Sequence, residues 1–305
     1  MSESNRIIIR AVKEVTVGTT PIDDAGWVTI PQNGDSLSAT PDTVQSQRIR
    51  GTDRMPTDLK KVSETNGGGV DFELSYGDFD TWLEAAMRDT WTTDAISVGT
   101  TINAYTIEKE FADLTKFVQI KGCQVSQMSL TFTFGSIVTG SIAFSGLTGY
   151  ESATSLVGTG STAAISANPI MAGNVDMDSI TYDGAAVGNI VIRELTLDIN
   201  NNLRPNNSLL SVAAVDQKAG TANVSGHISA YVGADSWAMY TDMLGNTAVD
   251  LAWTITDAAG KGYTFSLPNI KLSGPAPAGS GENTDVMMEA DFLCIVTSPT
   301  ITRIP

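Results

Sequence analysis

Between residues 70 and 76 the chain changes character at every step, with Val70, Phe72, Leu74 and Tyr76 set against Asp71, Glu73 and Ser75. A period of two sends successive side chains to opposite faces of an extended backbone. The stretch therefore specifies a strand with one face buried and one wet. The signature recurs along the chain. Met128, Leu130, Phe132 and Phe134 share one face of 126–134, and Val138, Ile142 and Phe144 point inward from 137–145, with Gly135-Ser136 as a tight hairpin between them. In 189–199, Val191, Leu195, Leu197 and Ile199 oppose Glu194, Thr196 and Asp198. Further strands are predicted at 5–12, 103–111, 115–123, 224–232 and near 248–256, 263–272 and 284–297. Only two short stretches carry helical spacing. One starts at Asp80, an expected N-cap for Trp82, Leu83, Ala86 and Met87; the other follows Asp235 and holds Trp237, Met239 and Tyr240. The expected class is mainly β.

Two further observations narrow the function. The 305 residues carry 34 acidic against 18 basic side chains, a net charge of −16. That sign repels nucleic acid and anionic membranes; it suits a surface past which DNA must slide without sticking, and it is equally the charge of many soluble proteins with no such role. Catalytic groups are scarce. The one histidine, His227, alternates with apolar neighbours on a strand and reads as a solvent- or interface-facing residue. It leaves no Ser-His-Asp arrangement, Cys-His pair or metal-ligand cluster to assemble. Gly67-Gly68-Gly69 precedes a strand and does not join a strand to a helix, which excludes a phosphate loop. No enzyme, cofactor or metal site is expected. Cys123 and Cys294 read as buried free thiols. Ile7-Ile8-Ile9 is too short for a signal segment, and no stretch reaches transmembrane length, so folding in a cytoplasm is expected.

Residues 17–45 read as loops with short strands. Residues 46–66 form a long aperiodic loop that gathers Arg48, Arg50, Arg54, Lys60 and Lys61. Residues 146–176 are rich in Gly, Ser, Ala and Thr, like a linker. The stretches on either side of it echo one another. Gly-Val-Asp-Phe-Glu-Leu-Ser (69–75) leads to Asp80-Thr81-Trp82, and Asn-Val-Ser-Gly-His-Ile-Ser (223–229) leads to Asp235-Ser236-Trp237, with a spacing that differs by one residue. Val138-Thr139-Gly140-Ser141-Ile142 also echoes Val224-Ser225-Gly226-His227-Ile228. Tandem duplication is the expectation: a first module over 1–150, a linker over 151–176 and a second module over 177–305.

The order of features in 10–150 resembles the major tail tube protein of long-tailed, non-contractile, siphovirus-type bacteriophages. The resembling stretches are Lys13–Pro21, Gly34–Ser38, Arg48-Ile49-Arg50, Val70–Gly77 with its helix, Thr106–Lys109 and Gly135–Ser141. Leu195–Asn202 and Asn223–Gly233 extend the likeness into the second half. The resemblance implies two tandem β-sandwich or rolled-sheet modules, each with one short helix, that polymerise as stacked rings into a conduit for DNA. It implies a virion tail location and assembly in the host cytoplasm. The implied partners are further copies of the chain, the tape-measure protein and the tail terminator and tip proteins, with double-stranded DNA as non-sticking cargo.

Strands about 4.8 Å apart and tilted by roughly 45° close, in a set of about 24, to a backbone diameter on the order of 50 Å and a lumen near 40 Å. That admits a duplex of roughly 20 Å. Four wall strands from each of two modules make the ring a trimer with pseudo-hexameric symmetry. A second module that only decorates the outside makes it a hexamer. By the resemblance, the 46–66 loop reaches a neighbouring subunit or the ring above; otherwise it is a solvated loop. Asp71, Glu73, Glu194 and Asp198 either line the lumen or face bulk solvent. Two other readings remain open: a carbohydrate-binding or adhesin-like β protein, and the inner tube of a related injection system.

Overall fold

The computed structural model describes residues 3–21, 26–49, 51, 54–158, 166–186, 190–279 and 281–305. In the first half the elements run β1 (Ile7–Lys13), β2 (Val28–Thr29), β3 (Gly34–Asp35), β4 (Ser38–Gln45), β5 (Leu59–Glu73), α1 (Asp80–Met87), β6 (Ala95–Ser97), β7 (Tyr105–Phe111), β8 (Lys116–Thr133), β9 (Thr139–Gly146) and β10 (Thr148–Ser152). The second half follows with β11 (Met177–Tyr182), β12 (Ala185–Ala186), β13 (Ile192–Asn200), β14 (Arg204–Asn206), β15 (Asp216–Lys218), β16 (Asn223–Tyr231), α2 (Trp237–Gly245), β17 (Ala248–Thr256), β18 (Gly262–Ser273), β19 (Met287–Cys294) and β20 (Thr300–Ile304). The protein is mainly β, as the alternation required.

Every strand pairing is antiparallel, and the scheme of the first half recurs in the second. β1–β2, β1–β7, β7–β8, β8–β10, β8–β9, β5–β9 and the β3/β4–β5 hairpin reappear as β11–β12, β11–β17, β17–β18, β18–β20, β18–β19, β16–β19 and β13–β16. Each half is a rolled sandwich whose two layers are joined by one long strand. The first part of β8 pairs with β7 and β10; beyond Gly122 it enters the other layer beside β9. A register shift between Val125 and Gln127 absorbs the bend, as a bulge does. The reading of 115–123 and 126–134 as two strands is thus corrected: they are two arms of one bent strand.

The registers decide between the two sequence echoes. Phe72 pairs with Gly140 and Gly140 with Leu130, while Gly226 pairs with Phe292 and Phe292 with Leu272. β5 therefore corresponds to β16, residue 69 to residue 223, in the alignment that the first echo gives. The second echo joins β9 to β16, which hold different places in the scheme. Those segments look alike because each carries a glycine beneath a phenylalanine. A Cβ at Gly140 would lie 2.3 Å from the Phe72 ring, and one at Gly226 would lie 2.4 Å from the Phe292 ring. Large and small residues have changed strands while the filled volume stays on the same cross-strand pair.

The core is the inner surface of both sandwiches and continues across their joint. Phe132 of β8 meets Trp253 and Phe265 of the second half edge-on, with ring centroids 5.7 and 5.8 Å away. Phe134, expected on the same face, is 70% exposed because the chain turns out of the strand there. Asp80 does not cap its helix. Phe79 holds the N-cap position, and neither it nor Asp80 makes a side-chain capping bond. Instead Asp80 Oδ1 accepts from Tyr263 Oη (2.7 Å) and Oδ2 from Arg303 Nη1 (2.9 Å), both from the second half. Ser236 occupies the N-cap position of α2, so Asp235 is not its cap either.

Candidate functional site

The joint between the halves makes the surface of interest. β8 pairs with β13 from Gln127↔Asn200 to Thr133↔Glu194, fusing the two polar-faced layers into one sheet. Eight strand positions follow one another across it: β3/β4, β5, β9, β8, β13, β16, β19 and the end of β18. Alternation buries one face throughout and turns the other outward in ordered rows. One row reads Asp71, Ser141, Ser129, Asp198, Ser225, Leu293, Lys271. The next reads Glu73, Thr139, Thr131, Thr196, His227, Asp291, Ser273, and a third Thr133, Glu194, Ser229, Glu289. Six carboxylates face one lysine and one histidine, with hydroxyls between them. The structure thus brings the four acidic candidates, Asp71, Glu73, Glu194 and Asp198, onto one face of one sheet.

The electrostatics of the face centre on His227. Its Nδ1 lies 2.8 Å from Asp291 Oδ1 and its Nε2 2.8 Å from Glu289 Oε2, while Ser229 Oγ donates to the other Glu289 oxygen. Partial burial opposes the charged ring, but the hydrogen bonds and negative charge of Asp291 and Glu289 prevail and hold its pKa above the usual value. Glu289 and Asp291 escaped the sequence reading. They lie within the predicted 284–297 strand, and the cross-strand register that sets them beside His227 is invisible without the partner.

The basic candidates lie elsewhere. The expected loop over 46–66 is corrected: from residue 59 onward the chain is strand, paired with β4 from Gln45↔Leu59 to Ser38↔Gly67. Together β4 and the outer part of β5 form a projecting two-stranded arm. The hairpin continues tightly through Gly67 and Gly68, where φ is +139° and +134°. A Cβ at Gly68 would sit 2.3 Å from the Ser36 carbonyl oxygen, so only glycine lets this strand approach so closely. These glycines are inside the strand, not ahead of it. The arm was hidden because Lys60, Lys61, Ser63, Glu64 and Thr65 lack a buried face, and a strand without one shows no period. Lys60 pairs with Asp58 at 3.1 Å and Lys61 with Glu64 at 2.8 Å. Arg48 and Arg54 are exposed and have no acidic partner among the described residues; Arg50 lies outside them. Val44, Ile49, Met55, Leu59 and Val62 are 50–92% exposed on this arm.

A smaller arm, β14–β15, occupies the equivalent place in the second half, and it is docked. Its Val212 carbonyl accepts from Glu64 N (3.0 Å), and Gln217 Nε2 donates to the Ser145 carbonyl (3.0 Å).

Residues 4–294 match the family model described as phage tail tube protein. The chain belongs to that family. It is a structural family and not a family of enzymes, and its place is the virion tail. No curated protein matches the sequence. Cys123 and Cys294 are free; burial pushes both thiols up, Cys294 to about 12. Among the described residues no cluster of three or more His, Cys, Asp and Glu side chains could hold a metal, and no helix is long and apolar enough to cross a membrane.

Proposed function

We propose that three copies of this chain close into a ring whose lumen is the fused polar face, and that such rings stack into the tail tube. Each chain is then a tandem pair of modules, 1–150 and 177–305, bridged by 151–176. The observation that carries this reading is the β8–β13 joint, which gives one chain eight consecutive strand positions with a single wet face. Three times eight supplies the roughly 24 strands that a lumen near 40 Å needs. Carboxylates interleaved with Ser and Thr suit the passage of DNA, because phosphates find few cations there to hold them.

The arm explains the rest of the surface. A two-stranded ribbon with both faces wet is marginal on its own, and exposed apolar residues on it call for a neighbour. Arg48, Arg54, Lys60 and Lys61 bring positive charge to an otherwise acidic tube. The tape-measure, terminator and tip proteins are the further partners on this reading, with assembly in the host cytoplasm.

The test places a label. Assembled tubes carrying Asp198→Cys, modified with an electron-dense maleimide, should show added density inside the channel in averaged micrographs. Density on the outer surface overturns the assignment of the wall.

A further inference from the structure

The correspondence between the halves also shows which surfaces one copy leaves open for the next. Within the chain, a leading face of the first half meets a trailing face of the second. The leading face consists of α1 and the end of β8; the trailing face consists of β13 and the groove beside β11. α1 meets the second half along one side, while its Trp82 packs on Tyr105 and Phe144 of its own half. It packs against β13, and Asn201 Nδ2 donates to the Ala86 and Val125 carbonyls at 3.0 Å each. Phe132 at the end of β8 and Phe134 just beyond it border the groove beside Met177 and Ile192.

The corresponding leading face of the second half is bare. α1 buries Trp82, Leu83, Ala85, Ala86 and Met87, whereas α2 buries Met239. Met239, third in its helix as Trp82 is in α1, is buried alike, but α2 leaves Trp237 49% exposed and Leu244 on its last turn 70% exposed. By register, Leu130 corresponds to Leu272, so Phe132 and Phe134 correspond to Gly274 and Ala276. There the tight 133–139 turn is replaced by a longer connection that begins Gly-Pro-Ala-Pro-Ala. The corresponding trailing face of the first half is bare as well. Beside β1 and the 28–36 segment lies a cleft of 680 Å³ bordered by Ser4, Asn5, the half-buried Ile7, Gln32 and Asn33, with Ile9 and Ile30 buried beneath it.

We infer that α2 and the 274–279 segment of one copy dock against the 28–36 segment and the cleft beside Ile7 of a second copy, in the manner of the internal joint. The contact is head-to-tail, the kind that closes a ring when its rotation permits. The occupant is another copy because the chain already contains one instance of the same contact, made by corresponding elements on both sides. The inference rests on the ring reading above and specifies which surfaces form its seam.

Two measurements test it. In the first, Gln32→Cys and Ala276→Cys are combined in one chain and oxidised after assembly. Disulfide-linked multimers ending at the trimer are expected, with neither single variant cross-linking. In the second, Trp237→Glu with Leu244→Glu should raise the concentration needed for assembly by about tenfold or more, as loss of a buried aromatic anchor does. Circular dichroism of the monomer should be unchanged, since both side chains are exposed. If wild-type tubes form while the cysteines stay unlinked and the α2 variant assembles normally, this seam is wrong and the ring reading survives. If the wild type does not assemble at any concentration, both fail.

Discussion

His227 is the side chain whose behaviour is easiest to check. Its folded pKa lies above the ordinary 6.5, so the stabilisation it contributes is fully present below that value and is lost as pH rises through the folded pKa. The melting temperature should therefore fall as the pH is raised across neutrality, and His227→Gln should abolish that part of the slope. Because the ring is only partly buried, the effect belongs with surface ion pairs, at about 1 kcal/mol or less. Asp80 carries a heavier load. Removing it leaves Arg303 with Asp94 alone and Tyr263 Oη with one partner fewer. Asp80→Ala should cost about 1–3 kcal/mol in denaturant unfolding, and a double-mutant cycle with Arg303→Met should show coupling. Gly140→Ala should cost about 1–3 kcal/mol by pressing on the Phe72 ring, and Phe72→Leu in the same chain should recover part of the loss.

Among the elements, the arm is the place to test assembly apart from folding. Its outer part touches little of its own core, so replacing 44–60 by two glycines should leave thermal unfolding of the monomer within about 0.5 kcal/mol, as for other surface changes. Polymerisation should be lost; tubes of normal length from this variant contradict the role given to the arm. The same element marks what the sequence could and could not disclose. Strands with one buried face, such as β13, β16, β17 and β18, were legible from alternation to within a few residues. β4 and the outer part of β5 were not, because neither face is buried. β10, β11 and β20 were missed because they are short or lie in polar surroundings. The acidic candidates were found as strand residues, yet their convergence on one face depends on the β8–β13 register, which no local pattern encodes. Asp80 misled for a related reason: in sequence it looks like a cap, but it is the first residue inside the helix and its partners lie more than 180 residues away.

At the scale of the molecule, the described residues form a sheet with an internal joint, bounded by β3/β4 on one side and by the end of β18, partly paired with β17, on the other. Exposed margins of this sort cause aggregation when nothing regulates them, and closure into a ring removes them. On the proposed ring, stoichiometry becomes a matter of counting: a chain that supplied eight positions to a wall of about 24 strands would need two companions. Averaged end-on electron micrographs of tubes assembled from the purified chain test this directly. The account predicts three chains per ring, with density near six-fold that resolves to three-fold because the two halves differ. A ring of six chains, or a wall built from one half of each chain, would contradict it.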